Sequence, residues 1–211
     1  MKKKTTLKIL AAFLTFLITV LVGVRIWYVN QQVEVPPVDL YEMGEEVWLE
    51  DNVYWGDEED ASGYSITVNS AELMTCQEFL EKHNEKQEDF DAWMEGDVNY
   101  PEMVVNVHIT VKNYNTVDST EAGIFSAGFL LADRDCRLLL HSKLFYLANP
   151  TVDNYIKFAL RAGTEMDLEI PFYFAPSDKV NPVPAARVRQ GDFHMAVSLY
   201  PRQKEIRIKI E

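Results

Sequence analysis

Cysteine is scarce in this chain: Cys76 and Cys136 are the only two in 211 residues. That excludes a disulfide-dense scaffold, and the absence of any C-x-x-C pair excludes the common thiolate zinc and redox motifs. The four histidines, His83, His108, His141 and His194, stand at least 25 positions apart, so paired-ligand metal spacing is missing as well. No G-x-S-x-G, H-E-x-x-H or glycine-rich phosphate loop occurs. Positive charge is also thin after residue 30, where 15 of the 20 Lys and Arg face all 33 acids, a balance of 15 − 33 = −18. A surface of that sign is unsuited to nucleic acid and repels anionic lipids and polymers, while it keeps the protein dispersed.

One long uncharged run is present, at the start. Lys2, Lys3, Lys4 and Lys8 precede an uncharged stretch from Ile9 to Val24, followed by Arg25, Trp27 and Tyr28. Lysines on the N-terminal side place that end in the cytoplasm. The 21 residues Ile9–Val29 make a helix of roughly 31 Å, enough for a ~30 Å hydrocarbon core. Arg25 can snorkel outward, and Trp27 and Tyr28 stand where an aromatic belt belongs. A cleaved signal peptide competes with this signal anchor. Leu21-Val22-Gly23 is a poor cleavage site because a bulky leucine stands where a small residue is wanted, and no cysteine follows for lipidation. The chain thus reads as a cytoplasmic stub (1–8), a transmembrane signal anchor (9–29), an extended linker with Pro36-Pro37 (30–43) and one extracytoplasmic domain (44–211).

Beyond the linker the dominant signal is alternation. Met103, Val105, Val107, Ile109 and Val111 alternate with mostly polar residues, and Met166, Leu168, Ile170, Phe172 and Phe174 repeat the pattern. Strands are expected over 46–54, 64–73, 103–111, 124–132, 137–141, 164–174, 195–200 and 205–210, with 144–147 and 155–160 as shorter candidates. Pro171 points to an edge or a strand end. Thr75-Cys76-Gln77-Glu78 is a capping box opening a helix over 76–83. The acidic insertion (81–99) is expected to be a loop or loose excursion pinned by Phe90, Trp93 and Met94. About eight or nine strands at short spacing, with one helical insertion, predict an all-β antiparallel sandwich.

The segments GYSITVNSAELMTCQEFL, VVNVHITVKNYN, LRAGTEMDLEIPF and SLYPRQKEIRIKI, behind a lysine-rich leader and spacer, resemble the telokin-like, immunoglobulin-fold extracytoplasmic domains of unknown function from Gram-positive bacteria. The resemblance covers about residues 44–211 and implies an immunoglobulin-like β-sandwich outside the membrane, with no established activity.

Candidate site residues are few. Asp57, Glu58, Glu59 and Asp60 supply adjacent carboxylates, but calcium needs six to eight converging oxygens. Their spacing misses the alternating D-x-D-x-D-G pattern, so a solvated acidic loop is the simpler reading. Trp48, Trp55, Trp93 and Tyr100 are candidate binding aromatics for a peptide or glycan, with core packing the plainer alternative. Cys76 and Cys136 either pair, closing a loop of about 60 residues worth ~3–4 kcal/mol, or remain two thiols. No cofactor and no nucleic acid is expected. The functional expectation is a non-catalytic, membrane-anchored binding or accessory protein of the cell envelope with a protein or envelope partner. The alternatives are a regulatory or immunity-type subunit of a membrane complex and, third, an envelope enzyme.

Overall fold

A computed structural model describes residues 2–32, 35–54, 56, 59–96, 100–119, 123–153, 156–179 and 182–211. The chain divides into two units, Met1–Val35 and Pro36–Glu211. The first is a single helix, α1 (Lys2–Gln31). Within it, Ala12–Gln31 has a mean hydropathy of 2.0 over a length sufficient to cross a membrane, and none of it is buried against protein. An apolar helix so near an N-terminus is compatible with a membrane anchor and with a signal sequence.

Among the described residues the second unit has nine strands: β1 (Val38–Tyr41), β2 (Glu46–Trp48), β3 (Tyr64–Thr75), β4 (Met103–Asn113), β5 (Leu130–Asp133), β6 (Cys136–Leu140), β7 (Glu165–Phe174), β8 (Phe193–Ser198) and β9 (Gln203–Ile208). They form one sheet in the order β1-β9-β8-β5-β6-β7-β4-β3-β2. All pairings are antiparallel except β1 with β9. The terminal strands of that order are joined by only residues 42–45, which forces the sheet to curl. The Gly44 amide donates to Val68 O, and Glu211 exchanges backbone hydrogen bonds with Ala71 and Leu73 of β3. The result is nearly barrel-like. Lys204 on β9 closes the same seam, its buried ammonium reaching Trp48 O and, at 2.6 Å, the Glu50 carboxylate.

Alternation sets the inner face. Val105, Val107, Ile109 and Val111 of β4 join Ile66 and Val68 of β3, Leu168, Ile170 and Phe172 of β7, and Met195 and Ile206 of β8 and β9 in one core cluster. A second cluster lies on the outside of the sheet. There Val104 of β4 meets Cys76, Phe79 and Leu80 of α2 (Cys76–Lys82), Phe90 of α3 (Gln87–Trp93), Met94, and Leu144 of α4 (Ser142–Ala148). The three short helices therefore cover part of one outer sheet face.

Several segments differ from expectation. Residues 38–41, placed in the linker by their Pro36-Pro37 neighbours, form β1 against β9. The 144–147 stretch is helical because His141 caps it, its Nδ1 accepting from the Leu144 amide at 3.3 Å. Of the 155–160 candidate, Tyr155 lies outside the described residues, and among the described ones Phe158 makes an isolated bridge to Ile124. The acidic insertion contains α3, with Phe90 and Met94 buried as pins. The proline cluster carries α5 (Ala185–Gln190), entered from Pro184, which suits a helix start. The α2 capping box is present as read, Thr75 and Glu78 each bonding the other's backbone amide. Pro171 marks a local edge: β7 lies inside the sheet, yet β6 pairs only with its Phe172 and Tyr173. Just beyond that point the Asn149 side-chain amide takes over, donating to Glu169 O at 2.7 Å and accepting from Glu169 N at 3.0 Å.

Candidate functional site

The acidic run does not assemble an ion site. Asp57 and Glu58 lie outside the described residues, as does Trp55. Glu59 and Asp60 are spent on their own loop: Glu59 accepts from the Tyr54 amide at 2.7 Å, and Asp60 accepts from the Ser62 amide at 3.0 Å, a local Asx turn. Among the described residues no group of three His, Cys, Asp or Glu side chains could hold a metal.

The candidate aromatics fall into two places. Trp48, 42% exposed, leaves β2 on its outer face and stacks on Tyr114 with centroids 4.5 Å apart. Glu46 fixes that pair from below, accepting from Tyr114 Oη and Ser65 Oγ, each at 2.7 Å. The Tyr114 hydrogen bond is the main reason the Glu46 carboxyl sits below its usual range. Trp93 (50% exposed) and Tyr100 (39%) instead meet edge-on at the buried ring of Phe90. Lys143 lies 5.3 Å over the Trp93 ring and donates to its carbonyl. Tyr100 donates to Asp91 and accepts from Gln87, so the insertion is tied to itself by its own polar groups. These aromatics serve packing first, and each leaves part of a ring in solvent.

Cys76, the first residue of α2, is buried in the outer cluster and Cys136 is half-buried on β6; both are free thiols. Burial pushes the Cys76 thiol up to about 12, which makes it a poor nucleophile.

One polar cluster was not singled out by spacing. Glu169 of β7 accepts from the Asn106 side-chain amide, lies 3.3 Å from Lys82 Nζ and stands 3.4 Å from His83 Nε2, an ion-pair contact longer than a closed hydrogen bond. Lys82 also reaches Glu72 at 3.7 Å. The His83 imidazole first, with the Asn106 amide and Lys82, outweighs burial and brings the Glu169 carboxyl down to about 2. Asn106 is buried, and Glu169 follows it onto the same outer face through the β4–β7 register. The cluster thus clamps the end of α2 to the sheet. Its members come from α2, β3, β4 and β7, up to 97 positions apart, and no local pattern announces such a grouping.

No curated protein shows significant similarity to the chain. The crystal structure of the yjhA protein from Bacillus subtilis is similar at 12% identity and a TM-score of 0.40, over 81% of this chain and 99% of that one. Residues 38–204, nearly all of the β-rich unit, match the family described as domain of unknown function DUF5028, and the chain belongs to that family.

Proposed function

We propose that this DUF5028 protein is a single-pass membrane protein whose β-domain stands outside the cytoplasm and works there as a non-catalytic binding or accessory module for a protein or envelope partner. The observation that carries the reading is the pairing of an uncovered apolar helix, Ala12–Gln31, with a separate β-rich unit beginning at Pro36. Lysines before the apolar span and an interfacial Trp27-Tyr28 near its far end favour the N-in orientation. An immunoglobulin-like relationship, of the telokin-like Gram-positive type, is part of the proposal; one core enclosed by facing portions of a curled sheet supports it. The half-exposed rings of Trp48 and Trp93 favour binding, since large amphipathic side chains dominate contact surfaces.

Topology is tested with a C-terminal tag on the full chain in intact cells. The tag should be digested by external protease while the N-terminal fragment stays in carbonate-washed membranes. A protected tag, or release of the whole chain into the medium, overturns the reading. The binding role is tested by crosslinking in those cells and purification through the tag. A near-stoichiometric membrane or envelope component supports it. A chain recovered alone, with turnover of some added substrate, replaces it by an enzyme.

A further inference from the structure

The outer face of β5, β6, β8 and β9 holds a groove of ≈ 430 Å³ in which Leu130, Ala132 and Ala196 stand among polar and charged side chains. Its construction follows from register. Ala132 of β5 stands opposite Arg137 of β6 on one side and His194 of β8 on the other, and His194 stands opposite Arg207 of β9. Cross-strand partners point to the same face, about 4.8 Å apart. Arg137 and His194 are therefore roughly 10 Å apart across the methyl group of Ala132 alone. The adjoining row is Leu139, Leu130, Ala196 and Glu205, with Leu139 56% exposed. Arg134, at the β5–β6 turn, completes the rim.

The charge balance inside the groove is unlike that of the domain. The groove carboxylates have partners of their own: Asp133 pairs with Arg187 at 2.6 Å, Asp192 with Arg207 at 3.2 Å, an arginine it shares with Glu42, and Glu205 is held by His194 Nδ1 at 3.0 Å and by the Gln203 side-chain amide at 2.5 Å. Asp135, exposed at the hairpin tip, is not part of the lining. Arg134 and Arg137 have no side-chain partner among the described residues, although the chain carries 33 acids. Two guanidinium forks beside Leu130, Ala132 and Ala196 are suited to bidentate recognition of an oxyanion attached to something apolar.

We propose that this groove binds a small amphiphile carrying one phosphate or carboxylate, the head held by Arg134 and Arg137 and the apolar part laid over Ala132, Leu130 and Ala196. The site is independent of which side of a membrane the domain faces. Full-length protein in nanodiscs of zwitterionic lipid is titrated calorimetrically with hexyl phosphate, hexanoate, inorganic phosphate and hexanol. The expected result is saturable binding of hexyl phosphate or hexanoate below ~10 mM, with inorganic phosphate and hexanol each at least about tenfold weaker. Comparing the two alkyl anions identifies the head group. Arg137→Gln should weaken binding about tenfold, whereas Arg189→Gln should leave it unchanged. Ala132→Leu keeps both charges but fills the groove, and should block binding with thermal stability retained. Hexanol binding as well as the anions, no saturable heat from either alkyl anion, or affinity unchanged in both Arg137→Gln and Ala132→Leu overturns the proposal.

Discussion

Replacing Glu169 by Gln isolates the charge of the clamp that holds α2 to the sheet. The Gln side chain keeps the length and one carbonyl oxygen, so the Asn106 amide still has an acceptor, while Lys82 and His83 lose the anion they flank. The carboxyl sits at about 2 in the folded domain against 4.5 for an ordinary glutamate. At ~1.4 kcal/mol per unit that difference corresponds to about 3 kcal/mol as an upper figure. The side chain is 24% exposed, and solvent screening brings the expectation to ~1–3 kcal/mol. The folded-state value is depressed, so this stability is fully present above pH 4.5 and is lost as pH falls from 4.5 towards about 2. Urea unfolding of Glu169→Gln and the parent should therefore differ by ~1–3 kcal/mol at pH 7 and converge as the pH is taken down through that window. A loss of the same size at pH 7 and near pH 2 would mean that the substitution acts through shape, and the electrostatic account would fail.

The buried Tyr64 hydroxyl accepts from the Leu160 amide at 3.1 Å and the Asn113 side chain at 3.2 Å, and donates to Leu160 O at 3.3 Å. Tyr64→Phe should cost ~1–3 kcal/mol by leaving the buried Leu160 amide without an acceptor, while Asn113 keeps its 2.8 Å bond to Leu160 O; the cost is read as a shift of the urea midpoint at constant slope, and a change within error would show that water replaces the hydroxyl. For the thiols, iodoacetamide at pH 8 should modify half-buried Cys136 first and Cys76 only once denaturant opens the α2 cluster, given how far burial raises the Cys76 thiol. Equal rates would contradict the packing of α2 against the sheet, and two thiols that react only after reduction would reveal a disulfide.

Strands that alternate strictly were legible in the sequence because burial on one face dictates polarity residue by residue: β3, β4 and β7 all fall where period two places them. The α2 start was legible for a different reason, a capping box whose donors and acceptors lie three residues apart. What local pattern could not reveal is partnership. Val38–Tyr41 becomes a strand only because β9 offers it an edge. Leu144 and Phe145 satisfy a strand or a helix equally by hydropathy, and the choice falls to His141 as cap. The same limit applies to sites. Trp48 and Trp93 were visible as residues, but their separation into two neighbourhoods is a matter of topology. Arg137, Ala132 and His194 become neighbours only through two strand registers.

An anion-seeking groove in a chain that carries −18 beyond residue 30 is a tension that the distribution of charge resolves. Residues 42–102, which build β2, β3, α2 and α3, contain 19 acids and 2 bases, whereas residues 103–211 contain 12 acids and 13 bases. The excess negative charge thus belongs to one stretch of chain, and Arg134 and Arg137 lie in the balanced one. At physiological ionic strength fields fade over about 8 Å, so a ligand in the groove responds to its own rim. At about 0.01 M the screening length grows to about 30 Å and the acids of the 42–102 segment are felt across the domain. Affinity for hexyl phosphate should therefore rise between those two salt concentrations and fall again towards 1 M, where the arginine contacts are themselves screened. A monotonic fall from the lowest salt, as for an ordinary basic patch, would show that the acidic segment exerts no repulsion at the groove.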